Sequence, residues 1–316
     1  MYDIIGDIHG YADHLMALLL KMGYREVDGV WQHPDRKVIF LGDFIDRGPH
    51  QIASVDIPRA MIENGHALSV MGNHEFNAVA WVTPHPERKG EFLRKHNSRN
   101  KKGHAAFLTQ VSDGGHNHQD ITSWFKTLPL WLELDGLRVV HACWHPEMMA
   151  TLRPYLDDDN RILPEAWPAL TEKGTVPYEA AETVLKGLEI SLPDGASFTD
   201  KDNNPRHNIR TRWWKRGKTL TYRDLAILDP SQIERIPHVP APMHILPGYD
   251  DEKPLFVGHY WMNGTPAPLN PHIACLDYSI AADKPGADRK LCAYRWHGEK
   301  TLRQENFIWV DYSEAP

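Results

Sequence analysis

An α/β fold built on parallel strands is what this 316-residue sequence predicts, and three observations predict it. Short apolar runs rich in branched residues occupy 3–5, 37–41 and 67–71, each stopping at a Gly or a polar cluster, as buried strands do. The stretches between them carry helical rather than alternating spacing. Strand, helix, strand, helix, strand in that order pairs the strands in parallel, and it gathers the residues that follow them at one edge of the sheet.

Taken in order, residues 12–22 repeat apolar positions at helical spacing, and Gly23 suits a left-handed cap at the end. Residues 51–64 make the second helix, which Pro58 must start or kink because it has no N–H to donate. Residues 131–144 read as a hairpin with Asp135-Gly136 at the turn. Leu137-Arg138-Val139-Val140 and Leu255-Phe256-Val257-Gly258 are further buried runs, and a histidine follows each, His141 and His259. Beyond them, 272–279 and 291–310 read as strands that complete a second sheet, with a hairpin turn at 297–300. The segment 146–247 changes character, with many prolines, the acidic run Asp157-Asp158-Asp159, a helix at 178–188 and little strand pattern. It reads as an insertion over the carboxyl face of the sheet, where loops decide specificity, within one domain spanning 1–316.

The first three strands deliver Asp7-Ile8-His9-Gly10, Gly42-Asp43-Phe44-Ile45-Asp46-Arg47-Gly48 and Gly72-Asn73-His74-Glu75. Asp7, His9, Asp43 and Asn73 offer carboxylate, imidazole and amide oxygen. That mixture suits divalent manganese, iron or zinc rather than an all-oxygen calcium cage. Each cluster alone has a plainer reading: Asp and Gly make turns, Asn caps helices, and His141 or His259 can be a satisfied core histidine. Their order, and their shared place at strand ends, argue for chemistry.

The series Gly-Asp-x-His-Gly, Gly-Asp-x-x-Asp-Arg-Gly, Gly-Asn-His-Glu, a strand-end His and a Gly-His resembles the calcineurin-like metallophosphoesterases. More narrowly it resembles the phosphoprotein phosphatase branch, which includes bacterial diadenosine tetraphosphatases. The resemblance spans Asp7 to His259 and implies two mixed β-sheets sandwiched between helices, with 146–247 as an inserted cap. It implies that Asp7, His9 and Asp43 hold one metal ion and that Asn73, His141 and His259 complete the second, with Asp43 bridging. Manganese is the first choice and iron or zinc the alternatives. It further implies Asp46 and His74 as an acid dyad, Arg47 as phosphate clamp, Asn73 also at the substrate, and a further phosphate-binding arginine at Arg210 or Arg212. The sequence departs from the protein Ser/Thr phosphatases at Met71, where they carry Arg, and at Ala142-Cys143 after His141.

The chemistry of these residue types suits the roles. A bridging carboxylate lets two cations sit roughly 3.5–4 Å apart and ionise a shared water near neutral pH. His74 can protonate a departing oxygen if Asp46 holds its other ring nitrogen, and the planar fork of Arg47 matches phosphate oxygens. Glu75 reads as a hydrogen-bond acceptor behind the site. The expected activity is hydrolysis of phosphomonoesters on a phosphorylated protein or peptide, with Ser/Thr or Tyr as the carrier. Cleavage of dinucleoside polyphosphates such as diadenosine tetraphosphate is the alternative. A catalytically inactive phosphate-binding module is disfavoured, because no ligand or dyad position is missing.

A net charge of -7 gives no electrostatic footprint for duplex nucleic acid or an anionic membrane. No apolar stretch approaches the roughly 20 residues needed to cross a bilayer, and the start of the chain has no signal-peptide pattern. With Cys143, Cys275 and Cys292 in apolar contexts as buried thiols, the expected compartment is the cytoplasm. The basic stretch 88–102 reads either as a solvated face or as a rim that attracts phosphorylated substrate. Trp213 and Trp214 are core residues or a stacking surface, and His116-Asn117-His118 sits in a Gly and Asp-rich loop without a metal role.

Overall fold

Strand β1 (Tyr2–Ile5), helix α1 (Ala12–Lys21), β2 (Lys37–Phe40), α2 (Ala53–Glu63), β3 (Ala67–Ser69) and α3 (Asn73–Val82) follow the alternation read from the sequence. The computed structural model describes the chain except residues 194, 200–204, 229, 284–285 and 315–316. Pro58 lies inside α2 rather than at its start. The helix tolerates it at the loss of one backbone hydrogen bond.

After α3 come α4 (Ala105–Val111) and α5 (His116–Phe125), then β4 (Trp131–Glu133) and β5 (Arg138–Val140), the expected hairpin. Residues 116–118 are therefore the first turn of a helix and not a loop. The Gly114-Gly115 pair that reads as loop punctuation ends at Gly115, the residue that opens the helix. Helices α6 (Pro146–Leu152) and α7 (Val176–Lys186) follow, then β6 (Leu255–Val257), β7 (Ile273–Cys275), β8 (Lys290–Trp296) and β9 (Phe307–Asp311).

The strands form two mixed sheets. One has the order β9-β8-β1-β2-β3, with β1, β2 and β3 parallel and β8 antiparallel to both of its neighbours, β1 and β9. The other has the order β7-β6-β5-β4, with only β4 antiparallel. The expectation that 291–310 completes the second sheet is corrected here: β8 and β9 extend the first, with Ile4 facing Tyr294 across β1 and β8. The connection between them runs through the 3-10 turn Gln304–Asn306 and is longer than a four-residue turn. Both faces of β8 are buried, so its residue pattern fits an inner strand of either sheet and does not choose between them.

Side chains alternate between two cores, as the period of two in a strand requires. Ile4, Ile39, Val139, Phe256, Ala274, Cys292 and Tyr294 meet in the layer between the sheets. Ile5, Val38, Phe40, Val140, Leu255, Val257 and Ala293 face outward into the larger core that the helices cover. Leu15, Leu18 and Leu19 of α1 and Val55 and Met61 of α2 pack there, which is the apolar stripe their spacing encodes.

Between β5 and β6 the chain adds α6, α7 and two short hairpins, Glu189–Ser191 with Asn208–Arg210 and Phe198–Thr199 with Pro205–Arg206. The backbone N–H groups of Ala142 and Cys143 both reach the Val184 carbonyl at 3.2 Å. Trp213 donates from its indole to the Tyr260 hydroxyl at 2.8 Å, and that hydroxyl donates to the Ala142 carbonyl at 3.0 Å. Trp213 and Trp214 are buried, Trp214 edge-on to Tyr260, so both serve as core. Cys143, Cys275 and Cys292 are buried and unpaired. Among the described residues no helix is long and apolar enough to cross a membrane.

Candidate active site

Each predicted site cluster begins where a strand stops. Asp7 follows β1, Asp43 follows β2, Asn73 opens α3 just after β3, His141 follows β5 and His259 follows β6. The backbone turns sharply at these positions, with positive φ at His9 (49°), Asp43 (52°), Asp46 (71°), Arg47 (74°), His259 (71°) and Trp261 (49°). Two glycines are required by close approach. A Cβ at Gly72 would lie 2.2 Å from the Asp43 Oδ1, and one at Gly258 would lie 2.1 Å from the Asp7 Oδ1.

Asp43 is the centre of the arrangement. Its Oδ2 lies 3.4 Å from His141 Nε2, 3.7 Å from His9 Nε2 and 3.9 Å from His74 Nε2, while its Oδ1 accepts the His74 backbone N–H at 2.9 Å. Donor atoms of His9, Asp43 and His74 fall within 4.8 Å of one another, and so do those of Asp43, His141 and His259. Asn73 Oδ1 is 3.3 Å from His141 Nε2. Asp7 accepts the His259 backbone N–H on Oδ2 at 3.0 Å, which ties the first sheet to the second across the site.

Several features make this donor set fit divalent cations. His9 and His141 donate from Nδ1 to the carbonyls of Ile45 (2.9 Å) and Leu41 (2.7 Å), which leaves each Nε2 turned toward Asp43. Asp7 Oδ1 is buried without a hydrogen-bond partner among the described residues. Burial, with the charges of Asp277 and Asp43, raises the Asp7 carboxyl well above its usual range, the mark of crowded negative groups that a cation relieves. Burial and the His74 charge lower His9 to about 3, and burial with Arg210 lowers His259, so both are held in the neutral form that binds metal. Burial would lower His141 too, but the Asp43 charge and hydrogen bond overcome it and push the ring to about 10. A cation at Asp43 would take the place of that proton.

Behind the centre, the buried Glu75 carboxylate accepts the N–H groups of Asp43 (2.7 Å) and Gly72 (3.0 Å) on Oε2 and that of Phe44 (2.9 Å) on Oε1. This is the acceptor role its sequence position suggests. Burial and the Asp43 charge raise it to about 7.

His74 Nδ1 lies 2.5 Å from Asp46 Oδ2, so Nε2 is the nitrogen that faces the metal loops. Burial would lower His74, but the Asp43 and Asp46 charges and the Asp46 hydrogen bond raise it, favouring the protonated form. The exposed Arg47 places its guanidinium 4.7 Å from the Trp261 ring centroid. Arg210 reaches the site, with Nη1 2.9 Å from His259 Nε2. Among the described residues no hydrogen bond or ion pair joins the Arg212 guanidinium to these groups. In the basic stretch, Arg88 pairs with Glu172 and Arg94 with Asn77, while Lys95, Arg99, Lys101 and Lys102 are exposed.

Sequence reasoning missed four contributors. His104 donates to Asp46 Oδ1 (2.8 Å), and Gln51 Oε1 accepts the Asp46 N–H (2.5 Å). Neither sits in a recognisable pattern. Trp261, whose ring centroid is 6.5 Å from that of His9, and Asp277, which accepts the Trp261 N–H at 2.9 Å, were findable: one follows Gly258-His259 closely and the other ends an apolar run as Asp7 does.

A fold of two mixed sheets between helices, with a cluster of hard-metal donors at the strand ends, defines a metallophosphoesterase. A family model for calcineurin-like phosphoesterases matches residues 2–218, and the chain belongs to that family. An asymmetrical bis(5'-nucleosyl)-tetraphosphatase of Halalkalibacterium halodurans is 43% identical over 74 residues, 23% of this chain and 30% of that protein. The enzyme of the same description from Bacillus velezensis is 35% identical over 144 residues, 45% of this chain and 55% of that one. The matched part thus spans about a third to a half of these relatives' length. A Saccharomyces cerevisiae protein serine/threonine phosphatase shares the fold, with a TM-score of 0.50 at 13% identity over 98% of this chain and 78% of that chain.

Proposed function

We propose that this chain is a phosphoric ester hydrolase that cleaves dinucleoside polyphosphates. The carrying observation is Trp261, whose indole lies beside His9 and carries the Arg47 guanidinium at the metal loops, an aromatic and cationic surface suited to a nucleotide. The tetraphosphatase relatives support the same substrate class. Trp213 and Trp214, the other aromatics near an arginine pair, are occupied in the core.

In this reading Asp7, His9 and Asp43 hold one divalent cation and Asp43, Asn73, His141 and His259 the other, with manganese favoured and iron or zinc as alternatives. Bound there, the cations would neutralise phosphate charge and acidify the attacking water. Arg47 and Arg210 grip phosphate oxygens, with Arg212 as the outlying candidate, and Asn73 orients the reacting group. His74 delivers a proton from Nε2 to the departing oxygen while Asp46 holds Nδ1. The segment 146–247 acts as a cap on a single catalytic domain and brings Arg210 to His259. Three unpaired buried thiols suit a cytoplasmic protein.

The competing substrate is a phosphorylated protein or peptide. Its remaining support is the exposed Lys95, Arg99, Lys101 and Lys102, since Arg88 and Arg94 are engaged elsewhere. Steady-state kcat/KM with manganese, at one salt concentration, should favour diadenosine tetraphosphate over phosphoserine and phosphotyrosine peptides by roughly 5- to 150-fold, the equivalent of about 1–3 kcal/mol of base stacking. Trp261→Ala should remove that preference. A peptide preference in the parent enzyme returns the phosphomonoesterase reading.

A further inference from the structure

Asp46 holds two histidines at once. His74 Nδ1 is 2.5 Å from its Oδ2, and His104 Nδ1 is 2.8 Å from its Oδ1. His104 comes from the junction between the short helix Ser98–Gly103 and α4, far from every other site residue in sequence, and is buried. Its ring is wedged among Trp81 (5.8 Å between centroids), Phe107 (5.0 Å) and His118 (6.4 Å), so it has little freedom to turn. Its Nε2 is buried and has no hydrogen-bond partner among the described residues. Leaving a buried polar nitrogen unpaired costs about 1–3 kcal/mol, and such an exception in a native fold calls for a reason. The reason available here is the bond made by the other nitrogen.

A carboxylate bound through one oxygen turns easily about its last torsion, whose energy well is broad. With a donor on each oxygen, the plane of Asp46 is fixed. The Gln51 side chain fixes the backbone on the other side, where Asp46 is in the left-handed region at φ 71°. A fixed plane aims Oδ2 along the His74 Nδ1–H bond and keeps the opposite nitrogen, Nε2, turned to the metal loops.

We infer that His104 is a positioning residue for the acid: its Nδ1–H bond to Asp46 Oδ1 orients the carboxylate that in turn orients His74. This rests on the reading of His74 as proton donor. His104 is buried and reaches the site through Asp46 Oδ1, so its removal should act only where a proton must be delivered. Two effects separate it from a residue that merely packs α4 onto the core. One is dependence on the leaving group, and the other is recovery by any side chain that keeps an N–H at the Nδ1 position.

His104→Leu keeps volume without a donor, and His104→Asn keeps a donor near Nδ1. With an alkyl phosphate, which needs a proton on the departing oxygen, His104→Leu should lower kcat by up to about a hundredfold, the scale of a small misplacement in an active site. With nitrophenyl phosphate the loss should be much smaller, and His104→Asn should recover most of the alkyl phosphate rate. Bound metal and melting temperature of His104→Asn should match the parent. Proton NMR supplies a reading independent of turnover. The parent should show downfield hydrogen-bonded imidazole N–H signals from His74 and His104 alongside those of His9 and His141, and His104→Asn should lose the His104 signal and keep the one from His74. Equal losses on both substrates, no recovery in His104→Asn, or a parent spectrum without the His104 signal each overturn the inference. His74→Asn run alongside separates the two levels. If it shows no leaving-group dependence, the acid reading itself fails, whereas if it does and His104→Leu does not, only the role of His104 fails.

Discussion

Asp43→Asn is expected to abolish turnover and to deplete bound metal more than His259→Ala does. Among the described residues the Asp43 carboxylate is the group shared by both candidate clusters, with Oδ2 within 3.9 Å of three imidazole nitrogens. Burial would raise its pKa, but His141, His74 and His9 hold it well below the usual range, so it is anionic at any working pH. An amide in its place removes that charge and can turn an NH2 group toward the Nε2 atoms, competing for the lone pairs that cations need. His259→Ala removes one donor from one cluster and leaves the other intact. Elemental analysis of the purified variants decides it. Full metal content in Asp43→Asn would end the bridging assignment.

His74→Asn is expected to lower kcat by roughly 10²–10⁴-fold on an alkyl phosphate, the usual contribution of a general acid, while both metals stay bound. The loss should shrink on nitrophenyl phosphate, whose leaving oxygen needs little protonation. The geometry gives the reason, since His74 makes its closest contact to Asp46 and lies 3.9 Å from Asp43 Oδ2, so its removal disturbs the acid more than the carboxylate centre. Metal analysis and paired kinetics on the two esters test this. Equal losses on both would assign His74 some other task.

Much of the fold could be read from the sequence because the first three strands announce themselves twice, by apolar runs and by the polar clusters that stop them. The site residues gathered from Asp7, Asp43, Asn73, His141 and His259 are adjacent to such runs, so locating the strand ends also located them. What was not legible lacked a local signature. His104 meets Asp46 through a long-range contact, with its ring against Trp81 of α3, and no pattern near it differs from an ordinary helix junction. The sheet membership of β8 failed for a related reason, since a strand buried on both faces carries no mark of which neighbour it joins. Arg210 and Arg212 both precede the Trp pair within four residues, and the pairing of Asn208–Arg210 with Glu189–Ser191 is what sets Arg210 beside His259.

The left-handed backbone at His9, Asp43, Asp46, Arg47, His259 and Trp261 bears on how copies of this chain decay once selection for activity lapses. Asp and His accept that conformation more readily than Arg or Trp, so the strain, of order 1–3 kcal/mol at an unfavourable position, falls most heavily on Arg47 and Trp261. A lineage still required to fold gains stability by exchanging those two for Gly, whereas Gly72 and Gly258 have no larger replacement that clears the neighbouring carboxylates. Silent descendants would therefore keep the glycine cradle and the buried aspartates longest, and lose first the exposed Arg47 and the Trp261 indole on which its guanidinium lies.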